Sequence, residues 1–171
     1  MKINARQIAF LGLLLVFALM AGYVEFLIPP VIPAFPGIKL GLPNTAVLII
    51  MYIKDYKSAF TVNILRIILA GILFTGIWGM VYSVCGALCS FIIMAGLKKS
   101  NIFGIAGISA AGGVFHNFGQ ISVAAFFMNT VKLYYYLPAL IISGVASGLL
   151  IGYLSGLIIN RIYKMPTESV N

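Results

Sequence analysis

Seven polar side chains interrupt or border the apolar runs of this sequence: Glu25, Asn44, Asn63, Arg66, His116, Asn117 and Gln120. In hydrocarbon such groups are costly, so each needs a partner or a task. Asn63 and Arg66 are three apart and share a helical face. His116 and Gln120 are four apart and share another, with Asn117 beside them. The guanidinium of Arg66 has the forked donors that clamp a carboxylate or phosphate. The same group equally suits an internal ion pair with Glu25 or hydrogen bonds to free carbonyls, and both readings stay open. Glu25 has a matching pair of roles, as counter-ion or as acceptor for a ligand donor. His116 can titrate near neutral pH. The run His116-Asn117-Phe118-Gly119-Gln120 offers donors, acceptors and an aromatic within one turn, for a ligand or for bonds between helices. Lys39 is a solvated charge or an outer attractor of anions. Tyr82, in an expected outer aromatic belt, completes the candidate ligand-binding set.

Other chemistry is poorly supplied. The chain has only three acidic residues, and two of them, Asp55 and Glu168, fall in a turn and in the tail. There is no carboxylate pair, no Cys–His or Ser–His–Asp spacing, no phosphate-binding loop and no aspartate-rich diphosphate motif. One histidine and one deep carboxylate do not make a metal site. Cys85 and Cys89 share a face and read as small core residues. The net charge of +8 is spread between apolar runs rather than gathered into a basic-aromatic patch, which argues against nucleic acid.

The elements that position these residues follow from composition. Hydrophobic residues make up 62% of the 171 and charged residues only 8%, against about 25% charged in ordinary soluble domains. An integral membrane bundle of six transmembrane helices in a single all-α domain, residues 1–171, is expected. The spans fall near Gln7–Ile28, Pro43–Ile53, Ser58–Phe74, Met80–Leu97, Ile102–Met128 and Leu137–Asn160. The first span is too long for the apolar core of a signal peptide and reads as retained. The second is short. Residues 29–43, rich in Pro and Gly, cannot form a regular helix and read as a lid. Gly76 to Gly79 reads as the turn between the third and fourth spans. Six spans put Lys2, Arg6, Lys54, Lys57, Lys98, Lys99, Arg161 and Lys164 on one side and Lys39 and Lys132 on the other. The Lys/Arg bias then makes both termini cytoplasmic. Trp78, Tyr82 and Tyr134-Tyr135-Tyr136 fit an outer aromatic belt.

Gly144, Gly148, Gly152 and Gly156 form one face of the last span. Lipid gives helices little reason to associate, so this face must pack closely on another helix, in the bundle or in a partner.

Three motifs then acquire a context. Pro36-Gly37-Ile38-Lys39-Leu40-Gly41-Leu42-Pro43-Asn44, Asn63-Ile64-Leu65-Arg66-Ile67-Ile68-Leu69-Ala70-Gly71 and His116-Asn117-Phe118-Gly119-Gln120 resemble, in order, motifs of the Gx transporter family. Tyr136-Leu137-Pro138 opens a sixth helix similar to that family's. Its members are often labelled heptaprenyl diphosphate synthase component I, a label that the acid-poor sequence does not support as a catalytic activity. The family is similar to the substrate-binding S components of energy-coupling factor transporters. That resemblance implies an S-component-like fold in a bacterial plasma membrane, an outward-facing pocket under the first loop, and a membrane coupling subunit driven by ATPases. S components often meet that subunit through small residues four apart on the first helix, and Ala5 with Ala9, or Ala18 with Gly22, have this spacing. The family also resembles the membrane subunit of flavin-based extracellular electron-transfer systems.

Two functions are therefore expected. One is a binding subunit for uptake of a small anionic or aromatic metabolite, such as a vitamin, flavin, or isoprenoid or quinone precursor. The alternative is a redox component holding a quinone or flavin, with a flavin-bearing extracytosolic partner. A scaffold with no small ligand stands behind both.

Overall fold

The computed structural model describes residues 4–28 and 40–164. Lys39 and most of the expected lid lie outside the described residues. What is described is all helical: α1 Ala5–Leu27, α2 Asn44–Ile53, α3 Tyr56–Ala70, α4 Gly76–Ser100, α5 Ile105–Phe127 and α6 Leu137–Tyr163. A π-helical turn, Gly71–Thr75, joins α3 to α4, and a 3₁₀ turn, Val131–Tyr136, leads into α6.

Local chemistry explains the boundaries. Asp55 caps α3, its carboxylate accepting from the Ser58 backbone N–H at 2.7 Å and from the Ser58 hydroxyl at 3.0 Å. The backbone bond holds the Asp55 carboxyl below its ordinary value, as expected of a carboxylate at a helix N-terminus. Gly76 adopts φ +73, a left-handed conformation that glycine tolerates without steric cost. There the chain reverses, so that Phe60 of α3 meets Phe91 of α4 with ring centroids 5.3 Å apart. The expected turn over Gly76–Gly79 is therefore sharper than its glycines suggested. Gly79 already lies inside α4, because one left-handed residue after the π turn completes the reversal. At the other end of α4, Lys98 to Ser100 form its last helical turn, and Asn101 at φ 55 ends it. Asparagine is one of the few residues that accept this terminal geometry.

Close backbone approach organises the bundle. The most extensive pairings are α5 with α6 and α4 with α5. A Cβ on Gly113 would sit 2.3 Å from the Gly144 carbonyl oxygen, and one on Gly148 2.5 Å from that of Ser109. One on Gly152 would lie 2.5 Å from the Ala106 Cα, whereas Gly156 has open space around it. Gly86 and Gly119 do the same between α4 and α5. The first three glycines of the α6 stripe thus pack within the chain, on α5.

α2 is the innermost element. Thr45 through Met51 are all buried, and α2 packs on α1, α3 and α6. At the end away from the lid, Lys98 ties α4 to α2: its ammonium donates to the Met51 carbonyl and lies 4.5 Å from the Tyr52 ring centroid and 4.9 Å from that of Tyr56.

The outside is apolar. Leu13, Ile72, Ile92 and Ile142 are each more than two-thirds exposed. Three helical stretches are long and apolar enough to cross a membrane: Ala5–Leu27, Tyr56–Ser100 (which folds back at Gly76) and Val131–Tyr163. α5 matches α1 in length, 23 residues, but carries His116, Asn117 and Gln120. A coat of this kind suits hydrocarbon rather than water.

Candidate functional site

One cavity of about 110 Å³, measured as room for the centres of water-sized spheres, opens inside the bundle. That is space for several waters, at roughly 10–15 Å³ each. α1 contributes Gly22, Glu25 and Phe26 to its wall, and α2 contributes Asn44 and Leu48. Arg66, Ile67 and Ala70 come from α3, and Phe74 and Thr75 from the π turn. α4 adds Ser83, Ser90 and Met94. α5 presents Ser109, Gly112, Gly113, His116, Asn117 and Gln120, which fall at helical spacing on one face. α6 closes the wall with Ser147, Gly148 and Ile151.

Arg66 is the charged centre. One guanidinium nitrogen, Nη2, donates to Asn63 Oδ1 at 2.7 Å and to Asn44 Oδ1 at 3.1 Å. Its Nε is buried without a hydrogen-bond partner among the described residues. Both asparagines present oxygens to the cation, which positions the fork yet leaves its charge un-neutralised by them. Glu25 acts on Arg66 electrostatically. The same carboxylate accepts from the Gly41 backbone N–H, at the end of the segment that leads from α1 to α2. Glu25 thereby joins the cation's surroundings to the start of α2.

The sequence candidates separate into distinct positions. Glu25, Asn44, Arg66, His116, Asn117 and Gln120 converge on the cavity. Asn63 does not line it; it is buried behind Arg66 and holds it. Tyr82 stands apart, stacked on Trp78 with centroids 6.4 Å apart, while Trp78 also packs edge-on against Phe127 at 5.2 Å. Lys39 lies outside the described residues. Asn117 faces the cavity and also donates to the Leu140 carbonyl at 2.8 Å, so it serves as a tie between α5 and α6.

The four small residues of α1 also divide. Ala18 is fully buried, and Gly22 faces Pro43 and the cavity. Ala5 and Ala9 are exposed. The sequence reading omitted Ser83, Ser90, Ser109 and Thr75. Ser109 is in helical register with His116 and Gln120 on α5, and Ser83 and Ser90 with Gly86 on α4, which was the available signal.

An apolar-coated helical bundle around a polar, charged cavity defines an integral membrane protein. The chain belongs to the heptaprenyl diphosphate synthase component I family, whose model matches residues 14–158, the family whose motifs the sequence displays. Comparison with curated proteins and with solved structures finds no match. Among the described residues, no group of three or more His, Cys, Asp or Glu could hold a metal ion.

Proposed function

We propose that this chain is a six-span, S-component-like binding subunit of the bacterial plasma membrane, with both termini cytoplasmic. It captures a small anionic metabolite from the outer side and does not itself make prenyl diphosphate. The observation that carries this reading is Arg66, whose fork faces a cavity and is held by two neutral asparagine oxygens. A guanidinium kept only for structure would be expected to end in a saturated ion pair, since an unneutralised charge in a low-dielectric interior is expensive. Here Glu25 divides its carboxylate between Arg66 and the Gly41 backbone, which leaves the fork able to bind an anion. With three acids in the whole chain, magnesium-dependent diphosphate chemistry lacks ligands. Uptake would draw energy from a membrane coupling subunit with ATPases, because the sequence has no nucleotide-binding loop of its own.

Native mass spectrometry of gently extracted protein tests the reading. A co-purifying small anion is expected from the parent chain, and its loss from Arg66→Ala. A charge-assisted bond contributes about 1.5–3 kcal/mol, so affinity for that anion should fall roughly ten- to a hundredfold. Unchanged affinity in a folded Arg66→Ala protein would assign Arg66 to structure alone.

A further inference from the structure

The cavity has a second, chemically different end. Phe60 and Phe91 mark a common level in α3 and α4. Arg66 lies six residues beyond Phe60, about 9 Å toward the lid end at the helical rise. Ser90 is next to Phe91 and lies about 7 Å deeper than Arg66 on the same rise. Ser109, on α5, lines the same deep region beside Gly112. The Ser90 hydroxyl oxygen would lie 3.1 Å from a Cβ on Gly112, three residues along α5 from Ser109, whose own Cβ would lie 2.9 Å from one on Gly152 of α6.

Both serines are 5% exposed, and both line the cavity. Neither hydroxyl has a hydrogen-bond partner among the described residues. That is unusual for helical serine, which commonly bonds back to its own helix. Ser122, Ser143 and Ser147 do so here, to Phe118, Leu140 and Gly144 respectively. A hydroxyl that faces a cavity without a protein partner is open to a ligand group or to water. No charged side chain lines the wall at this depth; Glu25 and Arg66 are the charged lining residues, and both belong to the lid side.

We infer that Ser90 and Ser109 form a neutral hydrogen-bonding subsite for the far end of the ligand. It takes an uncharged hydroxyl or carbonyl group on the side of the ligand away from the anionic group held by Arg66. The ligand class is thus an elongated anion with a neutral polar tip. This inference rests on Arg66 being the anion site.

Benzoate and 4-hydroxybenzoate are suitable probes, since they differ only in a hydroxyl opposite the carboxylate. Binding to the full-length chain in nanodiscs is measured by calorimetry for the parent, for the Ser90→Ala/Ser109→Ala double variant and for Arg66→Gln. The parent should prefer 4-hydroxybenzoate by roughly three- to tenfold, the range expected of one hydrogen bond. The serine double variant should lose that preference and keep its benzoate affinity. Its melting temperature should change little, because alanine removes no hydrogen bond between described residues. Arg66→Gln should weaken both probes alike. Equal binding of the two probes by the parent, or a preference that survives in the serine variant, overturns the subsite while leaving the anion site in place. No binding of either probe to a folded parent overturns both.

Discussion

At the scale of single residues, the site depends on how a buried cation is held. Asn63 is the nearer of the two asparagine supports of Arg66. Asn63→Ala should let the guanidinium shift, lowering affinity for a small carboxylate about tenfold, as befits one charge-assisted bond. Calorimetry on the folded variant would check this, and an unchanged affinity would show that Asn44 positions Arg66 without help. The Asn63–Arg66 pair was legible in the sequence, because three-residue spacing on a helix brings side chains together. The bond from Arg66 to Asn44 was less so, since it joins positions 22 residues apart and depends on how α2 packs. Ser90 and Ser109 escaped notice for another reason. A helical serine can satisfy itself on its own backbone, so residue type does not disclose which hydroxyls are left facing a cavity. Tyr82 differs from the other candidates in standing outside the cavity wall, its ring stacked on Trp78.

At the scale of helices, contact is decided by where a side chain is missing. A Cβ on Gly144 would lie 2.9 Å from the Gly113 backbone. Gly144→Val should therefore push α5 from α6 and cost about 1–3 kcal/mol, the usual range for overpacking. Gly156→Val, on the same stripe, meets open space and should leave thermal unfolding in detergent unchanged. Equal destabilisation by the two would mean that close packing on α5 is not what the stripe provides. The period of four was plain in the sequence, but not where it ceases to matter. That limit is set by the region in which α5 and α6 approach most closely. The start of α3 and the end of α4 lie two and three residues beyond the expected spans, at Tyr56 and Ser100, because Asp55 caps the one and Asn101 ends the other. The α3–α4 reversal was placed a few residues wide because a π turn leaves no mark in apolar composition.

At the scale of the whole molecule, the proposed six spans predict on which side of the membrane each basic turn lies. Single cysteines at Lys57→Cys and Lys132→Cys, in a chain with Cys85 and Cys89 changed to alanine, should lie on opposite sides of the membrane. A membrane-impermeant maleimide applied to whole cells should label only the position at Lys132, and labelling of both positions would refute six spans. The sequence made the membrane class plain, since so few charges leave no other solvent for the surface. It did not reveal how completely α2 is enclosed. With 10 residues this helix rises about 15 Å, half of the roughly 30 Å hydrocarbon thickness. Residues 45–51 form an unbroken buried run, so this stretch takes its surroundings from other helices and not from lipid. One of those helices is α6, the last in the chain. During biosynthesis, then, the second helix can meet the first and third early, but its enclosure is finished only when the ribosome has delivered the sixth. The cavity that α2 borders is consequently completed last, as a product of final docking and not of stepwise insertion.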